Sequence, residues 1–195
     1  MLSDVIAFLQ SWKIIALPTE TVYGLAVDAT NDDAVSSLFA LKLRPLDKPL
    51  TIQLWDIDDI SRYANIVDPM EQKLIDTFMP GPLTIVLRKR SAVSDVVTAG
   101  REYVGIRIPS HPIALELLQS IDFPLAVPSA NRSAETPAKT MSEVQEMFGD
   151  SVEYYIPNNQ QMAHVASTVV QVVNRELVIL REGIISLDMI RKSCY

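Results

Sequence analysis

Strand-like apolar runs lie back to back near both ends of the chain, and this restricts the fold more than any other feature. Lys13–Leu17 is followed almost at once by Val22–Val27, and Ser167–Val173 by Leu177–Leu180. Adjacent strands without a helix between them break the strict alternation of helix and strand that a doubly wound parallel sheet needs. Between them, strand-like runs at Leu50–Trp55, Leu83–Arg88, Val104–Ile108, Leu125–Val127 and Val152–Ile156 are interleaved irregularly with helical patterns. Strands and helices mixed throughout, with no break in composition and no repeat, predict a single α/β domain over residues 1–195. Its sheet should be mixed and twisted, flanked by helices, rather than a doubly wound parallel one.

The helices follow from caps and breakers. Ser3 or Asp4 can cap a helix running to about Trp12. Asn31-Asp32-Asp33 opens a second that must stop near Leu43, because Arg44 precedes Pro45 and is pushed out of the α region. Further helices are predicted at Asp56–Ala64, Pro69–Phe78, Ile113–Leu118, Ser142–Phe148 and Ser186–Lys192, with Pro80-Gly81-Pro82 as a hard break.

With 195 residues, 48% hydrophobic and 21% charged, the chain can bury a substantial core. Its net charge of −7 argues against a dedicated nucleic-acid binder, yet leaves room for a local basic pocket. The lone cysteine, Cys194, excludes an intramolecular disulfide and fits a reducing compartment. The start Met1-Leu2-Ser3-Asp4 has no basic leader pattern, and no apolar run approaches the ~20 residues that span a bilayer. A soluble, cytoplasmic protein without membrane contact is the expectation.

The six glycines form neither a Gly-x-Gly-x-x-Gly fingerprint nor a Walker loop. A bound phosphate would therefore be held largely by side chains. His111, His164 and Cys194 have no zinc spacing, and a thiol beside the terminus is a poor nucleophile.

Polar segments beside apolar strands supply the candidate chemistry. Pro18-Thr19-Glu20-Thr21-Val22-Tyr23-Gly24-Leu25 sets hydroxyls and a carboxylate between two strands, though threonines in a turn also serve their own backbone. In Lys42-Leu43-Arg44-Pro45, the helix end frees Arg44, so that both cations can turn to one anion; a solvated basic helix end is the plainer alternative. Pro128-Ser129-Ala130-Asn131-Arg132-Ser133 follows a strand end, a place for ligand contacts and equally for a capped loop. Arg107 lies in the apolar run Val104–Ile108 and needs either a structural carboxylate or a bound anion. Ser167-Thr168-Val169 and Arg181-Glu182-Gly183 complete the set.

Taken together and in order, PTETVYGL, K-x-R-P, PGPLTIVL, VGIRIPSHP, SAN, STV and R-x-G resemble the YrdC-like family of threonylcarbamoyl-AMP synthases over nearly the whole chain. The family often has histidine where Gln53 stands, tryptophan at Met79, and glycine at Ala134; Thr136-Pro137 also comes one residue early. The chain ends soon after R-x-G, so the resemblance is to the short, single-domain form. It implies synthesis of L-threonylcarbamoyladenylate from L-threonine, bicarbonate and ATP with release of pyrophosphate, supplying tRNA modification. Lys42, Arg44, Ser129 and Asn131 would be the catalytic tetrad around the triphosphate, joined by Ser133 and Arg181 on ATP. Thr19, Thr21, Tyr23, Arg107 and Ser167 would hold threonine, with Arg107 on its carboxylate and His111 a lesser candidate. Mg²⁺ would come with ATP rather than on protein ligands. tRNA, or the downstream threonylcarbamoyl-transferase machinery, would be the macromolecular partner. A carbamoyl-adenylate enzyme using carbamoyl phosphate and a structured-RNA or ribosome-associated module are the competing readings.

Overall fold

The computed structural model describes residues 2–194; the Cys194 side chain, on which the terminal-thiol reading bears, lies outside the described residues. In chain order the strands are β1 (Ile15–Leu17), β2 (Gly24–Asp28), β3 (Thr51–Gln53), β4 (Ala64–Asn65), β5 (Leu83–Lys89), β6 (Tyr103–Arg107), β7 (Leu125–Ala126), β8 (Tyr154–Tyr155), β9 (Thr168–Val173) and β10 (Glu176–Arg181). The helices are α1 (Leu2–Gln10), α2 (Asp32–Leu41), α3 (Ile60–Tyr63), α4 (Pro69–Phe78), α5 (Asp95–Thr98), α6 (Pro112–Gln119), α7 (Met141–Phe148) and α8 (Leu187–Cys194).

The strands join one mixed sheet in the order β10-β9-β5-β6-β3-β7-β2-β1-β8, with β4 added on β5. The back-to-back runs form the antiparallel pairs β1/β2 and β9/β10, as the short connections require. Parallel pairs occur at β1/β8, β3/β6 and β5/β9.

Alternation along the strands sorts side chains to two faces. One row across the sheet, Val27–Ala126–Ile52–Ile106–Ile85–Val170, lies wholly in the larger apolar cluster, which also takes in Val35 and Leu38 of α2 and Leu74 and Ile75 of α4. On the opposite face, Val5 and Leu9 of α1 and Ala114, Leu117 and Leu118 of α6 pack with Ile15, Leu17, Ala26 and Leu125. The next row on that face runs Leu125–Gln53–Arg107, and Thr84 of β5 lies beyond it on the same face. The sheet face thus turns from apolar to polar as it passes from β7 to β3, β6 and β5.

Local structure departs from expectation in three places. Ser3 and Asp4 lie inside the first turn of α1 rather than capping it, and the chain leaves the helix through Trp12 at φ 62°. No helix spans Asp56–Ala64: the Asp56 carboxylate accepts the Asp58 amide at 2.9 Å, an Asx-type turn that competes with helix, and Ala64–Asn65 is drawn into pairing with β5. Only Ile60–Tyr63 remains helical. Helix α5, capped by Ser94, was not expected at all. By contrast α4 starts where its signals put it, with Asp68 and Glu71 forming a capping box and Pro69 in the first turn.

Candidate functional site

Helix α2 ends in a Schellman motif: the Leu43 amide bonds Ala40 O at 3.1 Å and the Arg44 amide bonds Phe39 O at 3.0 Å. Leu43 takes the left-handed position at φ 51°, unusual for a leucine and strained there. The turn sends the two cations in different directions. Arg44 reaches the pocket, its Nε and Nη2 donating to the carbonyls of Lys48 and Pro49 at 3.0 and 2.7 Å. Lys42 turns under the Ser129–Asn131 loop and is only 1% exposed. Its ammonium donates to the carbonyl oxygens of Ser129 and Asn131, each at 2.5 Å. Burial, with the Arg44 charge beside it, pulls Lys42 down to about 7, while the two carbonyls favour the ammonium.

The Ser129–Asn131 loop is clamped from several sides. The Leu25 amide bonds Pro128 O, the Ala130 amide bonds Tyr23 O, and the Ser133 amide bonds Lys42 O at 3.0, 2.7 and 2.8 Å. Such close approach requires glycine at position 24, where a Cβ would sit 2.5 Å from Val127 Cγ1. Within the loop, the Ser129 hydroxyl donates to Asn131 Oδ1 at 2.5 Å, and the Asn131 amide donates to the carbonyls of Arg132 and Glu135.

These elements enclose a pocket lined by Thr21, Arg44, Thr51, Gln53, Thr84, Arg107, Ser129, Ser167 and Arg181, with Pro49 and Ala166 among the others. Its floor is the polar row of β3, β6 and β5. Three guanidiniums converge on it: burial, then the charges of Arg107 and Arg44, lower the pKa of Arg181. In a chain of net charge −7, that is a concentrated anion site. Arg181 donates to Ser167 through Nε and Nη2, reaching the carbonyl at 3.1 and 2.8 Å and the hydroxyl at 3.0 Å. Ser167 Oγ in turn lies 3.0 Å from the Thr84 hydroxyl.

Arg107 is 6% exposed and does not wait for a ligand to offset its burial. It pairs with Glu20 Oε1 at 2.6 Å and donates to Thr21 Oγ1 at 3.1 Å and Gly81 O at 3.2 Å. Of the two partners the sequence left open, the structural carboxylate is present, while the side chain still lines the pocket.

The expected residues therefore divide. Arg44, Arg107, Arg181, Thr21, Ser129 and Ser167 meet in one pocket. Lys42 and Asn131 brace the loop behind it, and Ser133 bonds the end of α2 through its backbone. Thr19 is buried, its hydroxyl bonded to Val22 O and to Thr21, and so shapes the turn. Tyr23 points elsewhere, donating to Ile156 O at 3.2 Å, with burial raising its phenol. His111 precedes α6 without capping it, and its Nε2 lies 3.0 Å from Asn158 Oδ1. Thr51, Gln53 and Thr84 belong to the pocket but were not candidates, because a polar residue in a strand reveals its role only once the register is known.

The Sua5/YciO/YrdC family model, described as telomere recombination, matches residues 7–183. A threonylcarbamoyl-AMP synthase of Pyrococcus abyssi is 37% identical over 185 residues, covering 95% of this chain and 54% of that protein. A putative threonylcarbamoyl-AMP synthase of Methanocaldococcus jannaschii is 36% identical over 180 residues, covering 92% of this chain and 84% of that one. Among solved structures, P. abyssi Sua5 complexed with L-threonine superposes with a TM-score of 0.94 at 35% identity, over 98% of this chain and 56% of its own. The chain thus spans about half the length of the P. abyssi relative it matches. By the extent of these matches, the chain belongs to the Sua5/YciO/YrdC family.

Proposed function

We propose that the chain makes L-threonylcarbamoyladenylate from L-threonine, bicarbonate and ATP, releasing pyrophosphate. The observation that carries this reading is the convergence of Arg44, Arg107 and Arg181 on a pocket floored by neutral polar groups. The threonylcarbamoyl-AMP synthases among its relatives, and the threonine carried by its P. abyssi structural neighbour, support the choice of substrates.

The chemistry suits a site without a protein nucleophile. The threonine amine forms a bond to the bicarbonate carbon with loss of water, giving a carbamate. A carbamate oxygen then attacks the α-phosphate of ATP; the bond to the β-phosphate breaks and pyrophosphate leaves. Both partners are anionic, so the protein's contribution is to hold them together and neutralise charge. Arg44 and Arg181 offer guanidinium donors to phosphate oxygens at the mouth, and Arg107, whose Nε and Nη2 are taken by Gly81, Glu20 and Thr21, offers its Nη1 to the threonine carboxylate at the floor. Ser129 and Ser167 add hydroxyls beside them. Lys42 and Asn131 act through the loop that carries Ser129.

Mg²⁺ enters as part of the nucleotide substrate. Guanidinium and hydroxyl groups suit phosphate oxygens rather than a divalent cation, which prefers carboxylate, carbonyl and water oxygens. Among the described residues no helix is long and apolar enough to cross a membrane. The product would be consumed in the cytoplasm by the machinery that transfers threonylcarbamoyl to tRNA.

The test is direct. Purified protein incubated with MgATP, threonine and bicarbonate should yield threonylcarbamoyl-AMP, with pyrophosphate release requiring threonine and bicarbonate together. Equal pyrophosphate release with carbamoyl phosphate alone would replace this reading by the carbamoyl-adenylate one. Binding of structured RNA without any pyrophosphate release would make the chain a binding module.

A further inference from the structure

His111 stands between the end of β6 and the start of α6, is 1% exposed, and makes one hydrogen bond. Its Nε2 lies 3.0 Å from Asn158 Oδ1, 47 positions along the chain. That oxygen also accepts the Gln160 amide at 2.8 Å, so it is an acceptor and the ring donates to it through Nε2. Nδ1 is buried with no partner. An apolar side chain would fill this space without leaving a polar atom unpaired, so the bond to Asn158 is what the imidazole contributes.

Asn158 lies in the segment 157–166, which joins β8 to β9 and contains no helix or strand. Met162 is its only buried residue, and the segment borders a cavity of about 330 Å³ that Tyr23, Thr140 and Met141 also line. Packing alone therefore holds it weakly. Among the described residues, three hydrogen bonds fasten residues 157–165 to the rest of the protein: the one from His111, and those from the Ala163 and His164 amides to Glu20 O and Thr21 O at 2.9 and 2.8 Å.

These bonds close a ring. Arg107, at the end of β6, bonds the side chains of Glu20 and Thr21. The carbonyls of the same two residues receive Ala163 and His164. The segment runs back to Asn158, and Asn158 returns through His111 to the chain just beyond Arg107. His111 is itself held firmly, because α6 directly after it buries Ala114, Leu117 and Leu118 in the core. At its other end the segment runs through Ala166 into Ser167, both of which line the pocket. Loss of the bond at Asn158 opens the ring and frees the segment that backs the Glu20–Thr21 turn.

We propose that His111 is a positioning residue for the reaction: through Asn158 it seats the segment 157–166, and through that segment it steadies the turn that aims Arg107 at the threonine carboxylate. This rests on the function proposed above. His111 lies outside the pocket lining and acts only through these neighbours. The carboxylate is bound alike before and during the chemical step, so a loosened Arg107 should show in the KM for threonine and hardly in kcat. ATP, met at the mouth by Arg44 and Arg181, should be affected little.

The experiment pairs kinetics with amide hydrogen exchange in the wild type, His111→Leu, His111→Gln, Asn158→Ala and the double variant His111→Leu/Asn158→Ala. His111→Leu should speed exchange of the Ala163 and His164 amides about 3–10-fold, as expected for one lost hydrogen bond, and by more than the amides of β5 and β6. The KM for threonine should rise by a similar factor, while kcat and the KM for ATP change less than about twofold. His111→Gln, whose amide nitrogen can take the place of Nε2, should restore most of both. Asn158→Ala should do at least as much as His111→Leu, since Asn158 also bonds Gln160, and the double variant should be no worse than Asn158→Ala. Exchange at Ala163 and His164 that rises no more than in β5 and β6 would make His111 a residue of the fold alone and overturn the assignment. So would equal rises in the two KM values, a His111→Gln variant as impaired as His111→Leu, or losses that add in the double variant. A wild type that makes no adenylate would remove the proposed function and the positioning role with it. The exchange data would still tell whether His111 seats the segment, so the two failures are separable.

Discussion

The Arg107 guanidinium and the Glu20 carboxylate meet at 2.6 Å across 87 positions of sequence, and this pair ties the turn between β1 and β2 to the pocket floor. Glu20 Oε2 is buried with no partner, so the carboxylate is held by one oxygen only. The turn is secured as well by its backbone, since Glu20 O and Thr21 O accept the amides of Ala163 and His164 at 2.9 and 2.8 Å. The pair therefore positions Arg107 more than it holds the loop.

Removing either partner should separate those roles. Arg107→Ala strands a buried carboxylate and should cost about 3–5 kcal/mol of stability. It should also weaken threonine binding more than ATP binding. Glu20→Gln keeps an acceptor for Arg107 while deleting the competing charge, so it should cost only about 1–2 kcal/mol and leave threonine binding equal or tighter. Urea unfolding and calorimetric titration of both variants read these outcomes. Unchanged threonine affinity in Arg107→Ala would make the residue purely structural.

Arg44 is placed differently, with its guanidinium already bonded to the carbonyls of Lys48 and Pro49 and still facing the pocket. Arg44→Ala should lower turnover by about 10²–10³-fold without unfolding the protein, the effect of removing a donor to transition-state charge. Arg44→Lys should do nearly as badly, because an ammonium cannot span two carbonyls and a phosphate together. Near-wild-type turnover in Arg44→Ala would remove it from the reaction.

Lys42 makes a prediction about pH. Its folded pKa of about 7 lies below the ordinary 10.5, so above pH 7 the unfolded chain binds the extra proton. Stability should then rise as pH increases from about 7 toward 10.5, and level off below about 7, where both states carry the proton. Lys42→Met, which fills the same buried channel without charge, should lose that dependence. Chemical denaturation at pH 7 and pH 9 compares the two proteins. An equal change in both would show that the ammonium stays charged on its two carbonyls throughout.

Much of this was legible in the sequence, and the part that was not has a common cause. The mixed sheet followed from the two back-to-back strand pairs, and the end of α2 from Arg44-Pro45. β4 and α5 escaped because elements of two to four residues without an apolar run of their own are fixed by their neighbours rather than by their own pattern. At the site, the sequence identified the cations but could not aim them. Lys42 and Arg44 look equivalent as K-x-R, and it is the left-handed turn at Leu43 that sends one under a loop and the other into the pocket. Thr51 and Thr84 stay hidden for a related reason, and Gln53 showed only as a departure from the family pattern: it is the register beside Arg107 that places all three on its face of the sheet.

That register also makes position 105 a sensitive point of the floor. Gly105 of β6 pairs with Thr51 of β3, and a Cβ there would lie 2.6 Å from Thr51 Cγ2 and 3.2 Å from Thr84 Cγ2. One strand away from Gln53 and two residues before Arg107, the missing side chain lets the two threonines pack tightly across β6. Gly105→Ala must push them apart, and overpacking of this kind costs about 1–3 kcal/mol. Because Thr51 and Thr84 both line the pocket, threonine affinity should fall as well, and by more than ATP affinity. The close contact is with a methyl group, so Thr51→Ser removes the atom in the way while keeping the hydroxyl. The double variant Gly105→Ala/Thr51→Ser should therefore regain at least about half of the stability lost in Gly105→Ala, a coupling expected of residues in direct contact. Thermal unfolding of the two single variants and the double one measures it. If the two losses simply add, the strain falls on the β6 backbone and not on the Thr51 methyl, and position 105 does not control the spacing of the floor.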